Sequence, residues 1–484
     1  MKKYLFLGTL ALLLVVATSV LAQNGLPGGG WTSGQQIQNV GSSDATVQFN
    51  AYATDGTSYD CGSQVLAVGG SYTYLTNVDC PVPSGFQGSA VVSSDQPIAA
   101  VTNVNNKGTG AASGQYVGTN GGSIATTVAF PLIKNNHSNR TSTFYIQNAS
   151  SNLNDITATF SVNGTDYPKT YSDVPANAMV VITPSDAGVP SGQGNVGGLT
   201  VTGTEPLAGT SLEHETAPAV ANNLQASRGF VPGDYDTAVA CPLVRYSAGS
   251  KQTTTGVQAQ NVGTEAIDIT ITYSVVTGST INPTATVTNV QPGESANFLQ
   301  ATDLNAKTVA SATVTAVAND GTPDSATSVA VAAIVNDKAF ATTPQRVTTY
   351  ACFGTTNTAT DSINLPLVKE DFGGSVVNTT GIQIQNVGNA NTTLTLTYTP
   401  SGGTPVVITH SDPIAPGASK TFYRVGNSGT ANISATSGSL ASLNKTLNGV
   451  VVTSSGNVPI VAIANESSLS GAIQDTKNYE GFNQ

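Results

Sequence analysis

Charge is scarce in this chain. Only 9% of its 484 residues are Asp, Glu, Lys or Arg, so neutral Thr, Ser and Asn must cover much of the surface. The 28 acidic residues outnumber the 17 basic ones, and the net charge of −11 argues against nucleic acid and anionic membranes as partners. Histidine is nearly absent: His137, His214 and His410 stand in three different contexts, whereas a zinc site needs three or four clustered ligands. No G-x-S-x-G elbow, phosphate loop or dinucleotide fingerprint occurs. Glu213-His214-Glu215 looks catalytic at a glance, but it ends a repeated strand and has no partner motif. Acids scattered over similar repeats give paired-carboxylate chemistry no focus. The expectation is a chain with no enzymatic activity, no cofactor and no resident metal. Asp234-Tyr235-Asp236 and the run from Asp320 to Asp324 carry the oxygen ligands that calcium needs, and both are equally ordinary turn chemistry.

Long apolar runs are missing too, except at the start. Lys2 and Lys3, an apolar run from Leu5 to Val16, and Val20-Leu21-Ala22 before Gln23 read as an export signal cleaved after Ala22. The run is short for a retained membrane span and lacks a stop-transfer flank. Gln23 is not Cys, so lipid anchoring at a processed cysteine is not suggested.

No segment has helical period. The 50 Gly and 23 Pro, with abundant Thr, Ser, Asn and Val, suit strands and turns, and 39% hydrophobic residues supply cores. In Thr393-Leu394-Thr395-Leu396-Thr397-Tyr398-Thr399 and in Ile267-Asp268-Ile269-Thr270-Ile271-Thr272-Tyr273 the apolar residues alternate with polar ones, the period of a half-buried strand. Four cysteines in an exported chain are compatible with two disulfides, with three possible pairings. Cys61 and Cys80 flank a hairpin from Leu66 to Leu75 and are the better-supported pair. Joining Cys241 to Cys352 would clip the ends of the third repeat together, and two free or intermolecular thiols are the other reading.

Self-similarity organises the rest. Ile37-Gln38-Asn39-Val40-Gly41 recurs as Ile146-Gln147-Asn148, as Ala259-Gln260-Asn261-Val262-Gly263 and as Ile384-Gln385-Asn386-Val387-Gly388. The Asn markers are 109, 113 and 125 residues apart, each interval the size of one β-sandwich. An earlier marker, Phe130-Pro131-Leu132-Ile133-Lys134, recurs as Cys241-Pro242-Leu243-Val244-Arg245 and Leu365-Pro366-Leu367-Val368-Lys369, and its Pro suits a first, edge strand. Pro292-Gly293 and Pro416-Gly417 supply a type II turn, replaced by Pro175-Ala176-Asn177 and Val68-Gly69 in the other two repeats. A hairpin closes each repeat, as in Gly88 to Asn103, Gly198 to Leu212, Ala312 to Asn336 and Gly449 to Asn465.

With its Pro-Leu-Val strand, Ile-Gln-Asn-Val-Gly phrase, Pro-Gly turn and closing hairpin, the chain resembles the tandem immunoglobulin-like repeats of bacterial secreted and cell-surface proteins. The resemblance implies an all-β fold of four tandem immunoglobulin-like antiparallel β-sandwich domains after a cleaved signal peptide. Their expected bounds are 1–22 for the signal, then 23–120, 121–232, 233–350 and 351–484. The implied role is an extracellular structural one, as a subunit of a surface layer, filament or adhesive coat that presents sandwiches in a row and packs with copies of itself or other surface proteins. A polysaccharide-binding or adhesin module is the alternative, although sugar sites need exposed aromatics and the chain has one Trp, Trp31, and scattered Tyr. The first repeat opens on Leu26-Pro27-Gly28-Gly29-Gly30-Trp31 and lacks the Pro-Leu-Val strand. Either the glycine-rich start replaces that strand, or the edge is covered locally, or a neighbouring molecule adds a strand there. Lys134 and Lys369, with Asn465, are of the residue types that an isopeptide bond joins, but Arg245 holds the same place and a charged strand end is the simpler reading. The nine N-x-S/T sequons, at Asn136, Asn139, Asn148, Asn163, Asn378, Asn391, Asn432, Asn444 and Asn465, report glycosylation only in a host with the machinery.

Overall fold

The computed structural model describes residues 14–20, 26–27, 30–106, 112–216, 223–319, 328–342, 345–374, 376–427, 429–470 and 476–483, without the side chains of 14–20 and 470. Within them the chain is nearly all β, in several antiparallel sheets, and helix is confined to short turns such as Thr76–Asp79 and Gln300–Asp303.

The alternation read in the sequence sets the strands. In Ile267–Thr277 the side chains of Ile267, Ile269, Ile271 and Tyr273 are buried while Asp268, Thr270 and Thr272 are not. Thr392–Pro400 buries Leu394, Leu396 and Tyr398 in the same way. The third repeat shows how such strands combine. One sheet runs Thr284–Val290, Ile267–Thr277, Thr308–Ala318, Ala238–Tyr246 and Phe353–Gly354; the other runs Ser295–Leu299, Thr253–Asn261, Val331–Ala339 and Arg346–Ala351. Val257, Ile269, Ile271, Phe298 and Val314 from both sheets meet in one core. Equivalent sheet orders accompany the markers of the first and fourth repeats, the fourth adding an outer strand, Ile433–Ser437. In the second repeat one continuous strand, Val196–Glu215, does the work of two and joins both layers into one sheet.

The Pro-Leu-Val strand is not an edge. Ala238–Tyr246 lies between two partners, and Pro242 sits where the register shifts between Cys241 and Val244. Pro131 and Pro366 occupy the matching irregularities between Phe130 and Ile133 and between Leu365 and Val368. A bulge tolerates a residue without an N–H, which explains the proline without an edge. The bulge is gripped from outside the ladder: the Tyr350 hydroxyl donates to Leu243 O (2.6 Å) and lies 3.0 Å from Leu243 N, and the Tyr479 hydroxyl does the same at Leu367 (2.9 and 3.1 Å).

The Asn markers explain themselves once folded. Each is fully buried. Its Nδ2 donates to the carbonyl four residues on, at Ser43, Asn152, Glu265 and Ala390 (2.7–2.8 Å). The same Nδ2 donates to a strand end, at Leu66, Val174, Val290 and Ile414 (2.8–3.1 Å). The Oδ1 accepts the N–H two residues on, from Gly41, Ser150, Gly263 and Gly388 (2.9–3.1 Å). At Gly263 a side chain would not fit, since a Cβ there would stand 2.2 Å from Ser328 O. The turn beside each clamp has positive φ at its second central residue, Gly69 (72°), Asn177 (59°), Gly293 (85°) and Gly417 (75°), as a type II turn requires.

The structure pairs all four cysteines, Cys61 with Cys80 and Cys241 with Cys352. No Pro-Leu-Val phrase opens the first repeat, yet its first-strand place is taken: Leu14–Val20 pairs antiparallel with Gly88–Ser94. Residues 1–13 and 21–25, which hold most of the export signal and its cleavage site, lie outside the described residues.

Replacing one clamp should be costly, because it strands buried carbonyls and an N–H at once. Asn386→Ala is expected to lower unfolding stability by about 3 kcal/mol, read as a fall in the denaturant midpoint at unchanged slope.

Candidate functional site at the junction of the repeats

Each repeat finishes in a short strand: Ser113–Val117, Leu224–Arg228, Arg346–Ala351 and Thr476–Glu480. These four strands pack on one another in a closed cycle, first on second, second on third, third on fourth and fourth on first. The repeats therefore close into a ring, and the expected row is corrected. Small residues let the first two of these strands approach closely, and polar side chains bind across the later junctions. A Cβ at Gly114 would stand 2.8 Å from the Ala226 Cβ. Gln225 Nε2 donates to Asn336 Oδ1 (3.1 Å) and Thr348 O (2.8 Å), and Ala351 N donates to the Glu480 carboxylate.

Apolar groups seal each junction. Trp31 and Val104 of the first repeat meet Tyr145 and Leu212 of the second, and Ala129 and Phe230 meet Ala332 and Ala351 of the third. Val461 and Ile463 of the fourth join the third core, while Val101 and Val117 of the first join the fourth. The marker glutamines bind across the same boundaries. Gln260 Nε2 reaches its own turn at Gly293 O (3.0 Å) and Thr200 Oγ1 of the preceding repeat (3.3 Å). Gln385 Nε2 reaches Gly417 O (3.1 Å) and Ala312 O (3.4 Å). Gln38 reaches Gly69 O (3.2 Å) and packs on Gly449 of the fourth repeat, where a Cβ would stand 2.3 Å from its Nε2.

Where the final strands end, they enclose a recess of about 380 Å³ whose lining includes Asn120, Arg228, Asp234, Glu480, Phe482 and Asn483. Arg228 forks onto both oxygens of Asp234 (2.6 and 2.9 Å). Burial pushes the Glu480 carboxyl above the usual carboxylate range, with Arg228 and the Ala351 N–H pulling the other way. The recess offers polar anchoring groups, while its lining contains neither a histidine nor a free thiol.

The residues singled out in the sequence are brought to structural tasks. Glu213 accepts from Lys134 (2.9 Å) and from Arg140, both at the end of the first-strand hairpin. Burial alone would raise its carboxyl; the two cations outweigh that and hold it at about 2. Arg245 with Asp337 and Lys369 with Glu466 (2.9 Å) repeat the pair in the third and fourth repeats. Lys369 thus meets the acid beside Asn465, not the amide that an isopeptide bond would join. Each histidine has its own partners. His137 accepts Gly194 N (3.0 Å), buried His214 lies against Thr143 and Glu215 O, and buried His410 stands edge-on to Phe422. In the candidate calcium run, Asp234 is engaged by Arg228 and Val231 N, and Asp236 accepts Thr356 N (2.7 Å). The run from Asp320 to Asp324 lies outside the described residues. Among the described residues, no group of three or more His, Cys, Asp or Glu could hold a metal ion. Asn148 is fully buried, which closes one of the nine sequons.

Reading the sequence missed Arg140, Tyr350, Tyr479, Glu370 and Glu480. The buried ion pairs carried a usable signal: each acid faces the residue six before its Asn marker, Ser142, Thr255 and Thr380. Glu370 left none. It is fully buried, accepts Gly426 N (3.3 Å), and burial pushes its carboxyl up to about 7 against the pull of the Gly426 and Val425 N–H groups, with Asp371 adding to the rise.

No protein-family model matches the chain, and no curated protein matches it. Among solved structures, the crystal structure of Thermotoga maritima 1070 is 16% identical, over 26% of this chain and 94% of that chain, with a TM-score of 0.19. A likeness of that size carries no argument about fold or function.

Two measurements check this arrangement. A closed ring should show a radius of gyration of about 23 Å by small-angle scattering, where four sandwiches in a row would give roughly twice that. Glu370 should give stability a pH slope. Between its ordinary value of 4.5 and about 7 the folded chain keeps a proton that the unfolded chain has released, so stability falls as pH rises through that window. Glu370→Gln is expected to remove the fall, standing more stable than the parent by up to about 3 kcal/mol near pH 8 and level with it near pH 4.

Proposed function

We propose that this protein is an extracellular structural protein, a ring of four immunoglobulin-like β-sandwich domains that serves as a rigid subunit of a surface layer, filament or adhesive coat. The observation that carries the reading is the employment of the recurring residues. The marker Asn holds turns, the marker Gln binds at domain boundaries, and the basic and acidic residues of the strands neutralise each other inside the fold. Among the described residues these recurring groups do not converge on a cleft, which supports a scaffold over a catalyst.

Export fits the N-terminal segment, and two disulfides fit an oxidising compartment. No helix among the described residues is long and apolar enough to cross a membrane. A polysaccharide-binding role is less well supported, because Trp31 is 4% exposed and its Nε1 is committed to Pro27 O.

Self-association has natural surfaces on the outer edges of the sheets. Thr165–Val174 and Thr284–Val290 are each paired on one side only and largely exposed; the second is uncharged, Thr, Val and Asn among its residues, while the first carries Asp166, Pro168, Lys169 and Asp173. An unpaired strand of this kind is a template for another chain. Strand addition at the first repeat, the route suggested by its missing phrase, requires instead that the place held by Leu14–Val20 be vacant.

Electron microscopy of the native cell surface and of the purified protein should show ordered assemblies of compact particles. Introducing Thr170→Lys and Thr286→Lys, both on outer edges, is expected to abolish those assemblies while leaving the circular dichroism spectrum and particle size unchanged. Isolated particles in the unaltered protein at high concentration, with none on the cell surface, would count against the structural role.

A further inference from the structure

We infer that the stretch Leu14–Val20, which reads as the end of an export signal, is the genuine first strand of the first repeat and stays in the folded protein. The pairing register is that of the other repeats. Val239-Ala240-Cys241 pair with Val314, Thr313 and Ala312, and Val239-Ala240 pair again with Gly354 and Phe353. Ile363-Asn364-Leu365 pair with Val452, Val451 and Val450, and Ile363-Asn364 with Asn483 and Phe482. Val16-Ala17-Thr18 pair likewise with Val92, Val91 and Ala90, and Val16-Ala17 with Asn120 and Thr119. The strand thus lies between two partners in the interior of a sheet.

The sequence has the matching spacing. From Val16 to Asn39 is 23 residues, and the corresponding intervals are 20 from Val128 to Asn148, 22 from Val239 to Asn261 and 23 from Ile363 to Asn386. Residue types match at the aligned positions as well: Val-Ala stands at 16, at 128 and at 239, where the fourth repeat has Ile363-Asn364, and Leu21 falls in sequence where Ile133, Val244 and Val368 stand. Residues 23–29, Gln-Asn-Gly-Leu-Pro-Gly-Gly, have no strand pattern with which to replace it.

The first repeat is also fitted to this particular strand. Tyr116 is buried at the register position of Tyr350 and Tyr479, the tyrosines that grip the first-strand bulge. In the other repeats the first strand carries Lys134, Arg245 or Lys369 at or next to its end, paired with Glu213, Asp337 and Glu466 respectively. In the first repeat the acid's place, opposite Ser33, is held by buried Val104, and in sequence the cation's place falls on Ala22. Both members of the pair have become apolar together. A strand of the Pro-Leu-Val-Lys type from another molecule would bring an unpaired cation to Val104, at the cost of burying a charge.

The test is the N-terminus of the protein recovered from its native source, by intact mass and N-terminal sequencing. Chains that contain residues 14–22 are expected; a homogeneous start at Gln23 overturns the inference and leaves the first repeat open to strand addition. Cell fractionation run on the same sample reports export separately, so a chain that keeps the strand but is found inside the cell defeats the extracellular reading and not this one. As a second measurement, otherwise identical chains beginning at Leu14 and at Gln23 are compared by thermal melting. The shorter chain is expected to melt at least about 5 °C lower, with the loss reversed by the nonapeptide Leu14 to Ala22 added in trans. Equal melting temperatures would sink the idea.

Discussion

The fold depends on a buried asparagine amide with its hydrogen bonds satisfied by backbone. At Asn39, Asn148, Asn261 and Asn386 one side chain ties the end of a strand, the loop that follows and a neighbouring turn into a single knot. A buried amide is stabilising only when its partners are all in place, so each knot fixes the relative position of three chain segments sharply. That constraint accounts for the constancy of the phrase around it. The apolar neighbour two residues ahead of the marker tolerates a change of size, being Ile at 37, 146 and 384 and Ala at 259. The amide cannot be exchanged without leaving carbonyls unpaired.

Fixing the turn has a consequence at longer range. The turn carbonyls at Gly69, Gly293 and Gly417 lie at the boundary with the preceding repeat around the ring, and the marker glutamine beside each Asn meets both the turn and that neighbour. A residue pair adjacent in sequence therefore serves two scales, the Asn inside a repeat and the Gln between repeats. Strand alternation makes this possible, since successive side chains point to opposite faces. The final strands then close the ring, through the Gly114–Ala226 approach at one junction and polar side chains at others. Of the few charges in the chain, several are buried in pairs, and burial holds Asp337, Glu370 and Glu480 toward the neutral form, against the pull of Arg245 at Asp337.

This division of labour bears on function. The recurring polar groups are employed inside the fold, the marker Asn on backbone, the marker Gln at the boundaries and the strand acids on cations, which is the employment that the proposed structural role rests on. The outward positions of the alternating strands are largely Thr, as in Ile267–Thr277 and Thr392–Pro400.

Much of the local structure was legible in the sequence. The two-residue period located strands, the recurring phrases located the repeats, Pro-Gly and its substitutes located the turns, and the cysteine positions pointed to one pairing well. These are determined locally, because alternation, turn dihedrals and marker spacing are properties of a few consecutive residues. The Pro-Leu-Val phrase misled as to its place, since a proline fits a bulge as well as an edge and only the partner strands distinguish the two. The buried ion pairs, the tyrosine grip on the bulge and the raised acid Glu370 depend on residues 50 to 110 positions apart. So does the closing of the repeats into a ring, and so does the completion of the first repeat by residues that look like a leader. Tertiary structure alone decided these, because burial, register and charge pairing arise only when distant strands are laid side by side.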